Sequence, residues 1–415
     1  MGNNHMAENA MNMHADVVIV GAGLVGLASA IAMHEAGYSV FLVDEKEPKA
    51  IPNSNEWDSR IYAISPKNAQ WLATIGVWQL LDTTRLVQMQ GMDIWSGEAE
   101  APLNLLAEDT HEEGLGFILE SNALMNAMLK KIAALGIPTF FNVHCAALQC
   151  NQQTPVTLIL ENNDLENIGA EKVVSLHGTL LLAADGNQSW VRKQCNFAVK
   201  QKDYGHTAVV ANFKGQKSHH NIARQWFQQD AENQLTILAW LPLPENVVSI
   251  VWSAPPAFAV ELLALSPSHF AERVAAAGQY LLGDFTLLNK PHHFPLQLQT
   301  VERCVQDSVV LLGDAAHVVH PMAGQGVNLG FRDVENLIEL LNIKNPYQAI
   351  NDPQLLKQFV RDRKVDVTKM VMLTDGLYHL FNNQTHLIKK VRHFGFEATK
   401  LQYLKELLVN QAVNM

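Results

Sequence analysis

Residues 313–333, G-D-A-A-H-V-V-H-P-M-A-G-Q-G-V-N-L-G-F-R-D, hold the densest set of chemically competent groups in the chain. Asp314 follows the apolar run VVLLG, so its carboxylate falls at a strand's C-terminal edge, where open α/β sheets bind ligands. The turn Gly324-Gln325-Gly326 precedes a helix predicted to start near Val327. Free N–H groups at such a start stabilise negative charge. A reduced flavin carries that charge at its N1–C2=O edge. Asp314 as a sugar contact, the turn at Pro321 and the glycine-rich helix start therefore make a flavin cradle.

A second cradle stands near the N-terminus. Gly21-x-Gly23-x-x-Gly26 separates the run DVVIV from a helical pattern, LASAIAMHEAG. Gly21 permits a tight turn, Gly23 lets backbone approach a pyrophosphate, and Gly26 lets helix and strand pack closely. Asp44 closes the next buried run, SVFLVD, 18 residues after Gly26, where a carboxylate accepts hydrogen bonds from an adenosine ribose. Glu45 is the neighbouring candidate. The pattern alone fits NAD as well as FAD. Arg60, in D-S-R-I-Y-A-I-S, and Asp185-Gly186, in the turn after LLLAA, are further candidates. Taken singly, an Arg opening a strand is a surface charge and Asp-Gly is an ordinary turn.

Other residues with chemical potential read as inert. His317 and His320 have H-x-x-H spacing, but no carboxylate or cysteine constellation accompanies them, so no metal is expected. The His pairs at 219–220 and 292–293 read as loop or surface residues. HEEG at 111–114 is not a zinc motif. Cys145, Cys150, Cys195 and Cys304 form no C-x-x-C and are expected as free thiols.

These groups need elements to hold them. DVVIV and SVFLVD, rich in β-branched residues and without alternation, predict parallel strands buried on both faces. GTLLLAADG and VVLLGDAAH predict two more. Residues 119–135 read as a helix. Between about 204 and 254, HTAVVANF, RQWFQ, LTILAWLPLP and VVSIVWS predict short antiparallel strands, with Trp226, Phe227, Trp240 and Trp252 among them. Helical spacing returns near 267–282 and dominates after 331.

The chain has 415 residues, 48% hydrophobic and 17% charged, as a globular protein should. Its formal charge of −11 argues against nucleic-acid binding, which needs a basic footprint. No apolar run approaches the length of a membrane span, and the polar first fourteen residues lack the blocks of a signal peptide, so a cytoplasmic protein with a disordered N-terminal extension (1–14) is expected. Residues 361–415 run against the overall charge, with nine Lys/Arg and five Asp/Glu. They read as a helical cap with a solvated basic face or as a docking surface for lipid or a partner.

In order and spacing, GAGLVG, RIYAIS, the ADG stretch and especially HPMAGQGVNLGFRD resemble the class A flavin aromatic hydroxylases, and within them the ubiquinone-biosynthesis hydroxylases, over about residues 14–390. The resemblance implies an α/β fold: a discontinuous Rossmann-type FAD-binding domain (15–85, 115–200 and 300–345), an antiparallel-sheet substrate domain (86–114 and 201–299) and a helical C-terminal region (346–415). It implies that Gly21, Gly23, Gly26 and Asp44 hold the ADP half of FAD and that Arg60 lies by its phosphates and ring. Asp185 and Gly186 would contact FAD and the pyridine nucleotide. Asp314 would bind the ribityl chain, and Pro321, Gly324, Gln325, Gly326 and Asn328 would surround the isoalloxazine, with His317 near it. Asn122 and Asn126 are the polar candidates on the 119–135 helix.

The implied reaction has NADPH or NADH reduce FAD. O2 then forms a flavin C4a-hydroperoxide, which hydroxylates the ring of a polyprenylated phenol or quinol. No side chain need be a nucleophile. The basic C-terminal helices would hold the enzyme at the inner membrane or in a biosynthetic complex. The rivals are another flavin oxidoreductase of the same fold, such as a prenyl reductase, a different aromatic hydroxylase or a halogenase, and a flavin-binding scaffold without turnover. The W-x-W-x-I-P signature of halogenases is absent, and intact Asp314 argues against the scaffold.

Overall fold

The structure, a computed structural model, describes residues 11–49, 56–96, 102–109, 113–150, 155–162, 173–319 and 325–382. Its first sheet runs in the order Val305–Gln306, Val309–Leu311, Val173–Ala183, Met11–Val20, Val40–Asp44, Thr139–Phe141, with Val156–Asn162 and Val143–Gln149 attached beside Val173–Ala183. From Val309–Leu311 to Thr139–Phe141 every neighbouring pair is parallel. The apolar runs lack alternation because both faces are covered. Val17 and Ile19 enter the core under the Leu24–Glu35 helix, while Val18 and Val20 enter a second core on the other face. Leu180 and Leu182 divide from Leu181 and Ala183 in the same way. Each fully buried Val, Ile or Leu among them stabilises the fold by roughly 1.5–3 kcal/mol.

Parallel register aligns the strand ends. Val20 stands beside Val43 and Ala183, and Ala183 beside Leu311. The residues that follow, Gly21, Asp44, Asp185 and Asp314, therefore share one edge of the sheet.

The second sheet is nearly all antiparallel: His317–Val318, His292–Val301, Val199–Gly215, Val247–Ala254, Leu235–Leu243, Ile222–Gln229, Gly91–Ser96, Leu103–Leu106. Here alternation is strong. Val209, Ala211, Phe213, Trp226, Trp240 and Trp252 pack under the Pro256–Ala264 and Pro267–Ala277 helices, and Ala208, Phe227 and Ile237 face the other way. A small third sheet, Ile61–Ile64, Gly116–Glu120 and Leu86–Met89, lies between the two. Ile61, Ala63 and Ile118 pack on Leu241 and Leu243 of the second sheet.

Two expectations change. Met11–His14 are strand, not disordered extension: they pair with Val174–His177, and His14 stacks on His177 with ring centroids 4.7 Å apart. The segment from 361 is not a uniformly solvated basic face. It lies partly in the Pro353–Asn382 helix, where Arg363 is buried among carboxylates. Residues 383–415 lie outside the described residues.

Candidate functional site

The glycine turn is built by close approach. Gly21 sits at φ +104, and a Cβ there would collide with the Ala184 carbonyl. One at Gly26 would collide with the Gly21 carbonyl oxygen. A Cβ at Gly23, by contrast, meets nothing within 4 Å. Gly23 is the N-cap of the Leu24–Glu35 helix, and no side chain caps it. The turn thus presents open space in front of uncapped N–H groups, as a pyrophosphate requires. Asp44 Oδ2 accepts from the Ala22 N–H at 2.6 Å and Oδ1 from the Lys46 N–H at 2.9 Å. Each oxygen keeps a lone pair for a ribose. Glu45 instead meets His144 on the surface.

Asp314 follows Val309–Leu311 in a short 3-10 turn, Gly313–Ala315. Asp314 is solvent-exposed at the end of this strand. Burial pushes its pKa up, and His317 and Arg60 pull it back. The turn is held from behind. The Gly313 N–H donates to Asp333 Oδ2 at 2.8 Å, and His317 Nε2 lies 2.7 Å from the same oxygen. Arg363 Nε donates to Asp333 Oδ1 at 2.7 Å, and Asp366 bridges Arg363 and Arg332. Burial alone would raise Asp333, but His317, Arg363 and the Gly313 N–H hold it down, to about 2. Arg192 closes the other side, donating to Ala315 O at 2.8 Å and Asn187 O at 2.6 Å.

His317 is therefore a buried partner of Asp333 and positions the Asp314 turn. Among the described residues no group of three or more metal-ligating side chains occurs. His320, Pro321 and Gly324 lie outside the described residues. Asp185 caps the Trp190–Gln194 helix, Oδ2 accepting from the Val191 N–H at 3.0 Å.

Arg60 is exposed beside Asp314, on a loop with dense support. Asp58 accepts from the Arg60 and Asn122 N–H groups, and its own N–H donates to Glu120. Arg85 grips Glu120 with two bonds and lies 4.0 Å over the Trp57 ring. Asn212, from the second sheet, donates to Asp58 O at 2.7 Å. Tyr62 lies within electrostatic reach of both Arg60 and Asp314. Burial raises its phenol's pKa, Arg60 opposes, and Asp314 adds to the rise. Asn126 lies apart, with Leu81 and Lys130.

Gln325 and Gly326 open the Gly326–Ile343 helix, which has no side-chain cap, and a Cβ at Gly326 meets nothing within 4 Å. Gln325 Oε1 is buried without a hydrogen-bond partner among the described residues. Asn328 turns inward instead. Its Oδ1 accepts from the Ser65 N–H and Asn68 Nδ2, and its Nδ2 donates to Ala63 O. It clasps the helix to the Ala63–Asn68 segment. Open space at Gly23 and at Gly326, two helix starts without a side-chain cap and the exposed Asp314 fit a flavin dinucleotide among the described residues.

A family model for the FAD binding domain matches residues 14–374. The chain belongs to this FAD-binding family. Among curated relatives of this FAD-binding chain, ubiquinone hydroxylase UbiL of Rhodospirillum rubrum is 31% identical over 405 residues, covering 96% of this chain and 89% of the relative. The 3-demethoxyubiquinol 3-hydroxylase of Escherichia coli is 28% identical over 392 residues, covering 94% and 95%. The fold is shared with p-nitrophenol 4-monooxygenase PnpA of Pseudomonas putida, at TM-score 0.74 and 18% identity, covering 97% of this chain and 99% of the other. Asp333, Arg363, Arg192, Tyr62 and the Arg85–Glu120 pair were not distinguished by the sequence. Asp333 ends the patterned segment, but its partner Arg363 lies 30 residues away.

Proposed function

We propose that this chain is an FAD-dependent monooxygenase that hydroxylates the aromatic ring of a polyprenylated phenol or quinol in ubiquinone biosynthesis. The observation that carries this reading is the single edge of the parallel sheet on which Gly21, Asp44 and Asp314 line up. Redox chemistry there, hydride acceptance from NADPH or NADH and activation of O2, is what FAD supplies when bound.

The chain's own residues bind, orient and seal. Gly21, Gly23 and the Leu24–Glu35 helix start take the pyrophosphate, Asp44 the ribose and Asp314 the ribityl chain. Arg60 balances negative charge beside Asp314. N–H groups at the start of the Gly326–Ile343 helix would stabilise negative charge on the flavin ring. The sheet face of Ala208, Phe227, Ile237 and half-buried Val251 offers an apolar wall for an aromatic substrate and excludes water. Gln225, buried on the same face, is the polar candidate for orienting a phenol.

Attachment to the inner membrane or to a biosynthetic complex through the basic C-terminal segment belongs to the same reading. Among the described residues no helix is long and apolar enough to cross a membrane.

The test is turnover of the FAD-loaded protein with NADPH or NADH, isotopically labelled O2 and a short-chain prenylated phenol. Mass spectrometry should find one labelled oxygen on the ring. Oxidation of the pyridine nucleotide with no labelled product, for every phenol and quinol offered, would overturn the proposal.

A further inference from the structure

Behind the Asp185 turn, two cysteines from different elements meet. Cys150 follows the Val143–Gln149 strand and Cys195 is the C-cap of the Trp190–Gln194 helix, and their Sγ atoms lie 3.5 Å apart. We propose that Cys150 and Cys195 are a redox pair that closes to a reversible intramolecular disulfide when the protein meets a hydroperoxide.

Geometry supports the pairing. The sulfurs are already in van der Waals contact, and bonding distance lies only about 1.5 Å closer, within reach of side-chain rotation. Cys195 is held in place by its backbone: its N–H donates to Val191 O at 3.0 Å, and its carbonyl accepts from Gln306 Nε2 at 2.9 Å. Cys150 ends a strand and is half-buried, so one member of the pair is open to a small oxidant while the other is shielded. Burial and the neighbouring Cys150 push the Cys195 thiol up, so Cys195 is slow to react directly. Cys145 and Cys304 have no such partner. Burial raises both thiols to about 12, and among the described residues neither hydrogen-bonds to another thiol.

These features order the chemistry. The Cys150 thiolate attacks hydrogen peroxide. An S–O bond forms, the O–O bond breaks, and the leaving hydroxide takes up a proton as water. Cys150 is oxidised to the sulfenic acid by two electrons and the peroxide is reduced. Cys195 sulfur then attacks the Cys150 sulfur. The S–S bond forms, the S–O bond breaks, and hydroxide leaves with the Cys195 proton as a second water. The sum is two thiols and one peroxide giving one disulfide and two waters. The bridge encloses the chain from 150 to 195, including the turn of Asp185 and the clamp residue Arg192.

The experiment exposes the full-length FAD-loaded protein to hydrogen peroxide, quenches it, and counts thiols after denaturation without reductant. Two of the four thiols should be lost and should return with dithiothreitol. Peptide mapping without reduction should join the Cys150 and Cys195 peptides within one chain. Cys195→Ser should stop at a sulfenic acid on Cys150, trapped by dimedone. Cys150→Ser should leave Cys195 reduced, and Cys145→Ser should keep the bridge. Four surviving thiols, a bridge to any other cysteine, a bridge between chains, or direct progress of Cys150 to sulfinic acid in the wild type would each overturn the pairing.

Discussion

Asp314 tests the site most directly at the scale of one side chain. Its carboxylate is crowded by protein yet reachable, and its charge is supported by His317 and Arg60 rather than by a direct ion pair. Asp314→Ala removes a charged hydrogen-bond partner of the ribityl chain, and such bonds contribute about 1.5–3 kcal/mol, or about 10–100-fold in affinity. The variant should purify with little flavin, read by visible absorbance against protein concentration. Full occupancy would remove Asp314 from the site. Gly23 and Gly26 divide two functions that one motif merges. Gly23→Ala adds a methyl group to open space, so stability should stay within about 1 kcal/mol while flavin affinity falls. Gly26→Ala drives the helix into the Gly21 carbonyl and should cost about 1–3 kcal/mol or more in urea denaturation. Equal stabilities for the two variants would contradict this division. The glycine types were legible in sequence. So was the division between Gly23 and Gly26; that Gly21 closes against the Ala184 carbonyl was not, because Ala184 is remote in the chain.

Elements meet through buried charge behind the Asp314 turn. Asp333 on the Gly326–Ile343 helix receives Arg363 from the next helix and the Gly313 N–H from the turn. Its pKa is about 2 when folded and about 3.9 when unfolded. A carboxyl depressed by folding contributes stability that is complete above its unfolded pKa and disappears as pH falls through the folded one. That contribution is about 2 kcal/mol at neutral pH, and roughly half of it is gone by pH 3. Asp333→Asn should therefore be clearly less stable than the wild type at pH 7, with the gap narrowing between pH 4 and pH 2. A gap that stays constant with pH would show that the Asp333 charge is not what joins these elements. The element types themselves were readable from pattern. Unbroken apolar runs gave the parallel strands, and alternation gave the antiparallel ones. The partners of Asp333 were not readable, since Arg363 lies within a segment whose composition marks it as a basic surface.

At the scale of the whole molecule, the long Pro353–Asn382 helix both locks the site and leads to a basic segment. Residues 383–415 hold five Lys/Arg and two Asp/Glu. A chain ending at Asn382 keeps Arg363 and Asp366, so it should fold with an unchanged melting temperature and keep its flavin. It should lose binding to vesicles rich in anionic lipid, measured by co-sedimentation. Undiminished vesicle binding by this folded truncation would dismiss the docking role. A chain ending at residue 360 would instead strip Asp333 of its buried cation and lose stability. The sequence by itself determined the glycine turn at Gly21–Gly26, the carboxylates at strand ends and the sheet types, since each follows from local spacing and from periodicity. Only the tertiary structure decided that Asn328 and His317 face protein, that Asp185 caps a helix, and that Trp226, Trp240 and Trp252 lie under helices while Phe227 faces the other way. Direction is set by register and by which buried polar group reaches a partner first, and those partners are remote in the chain.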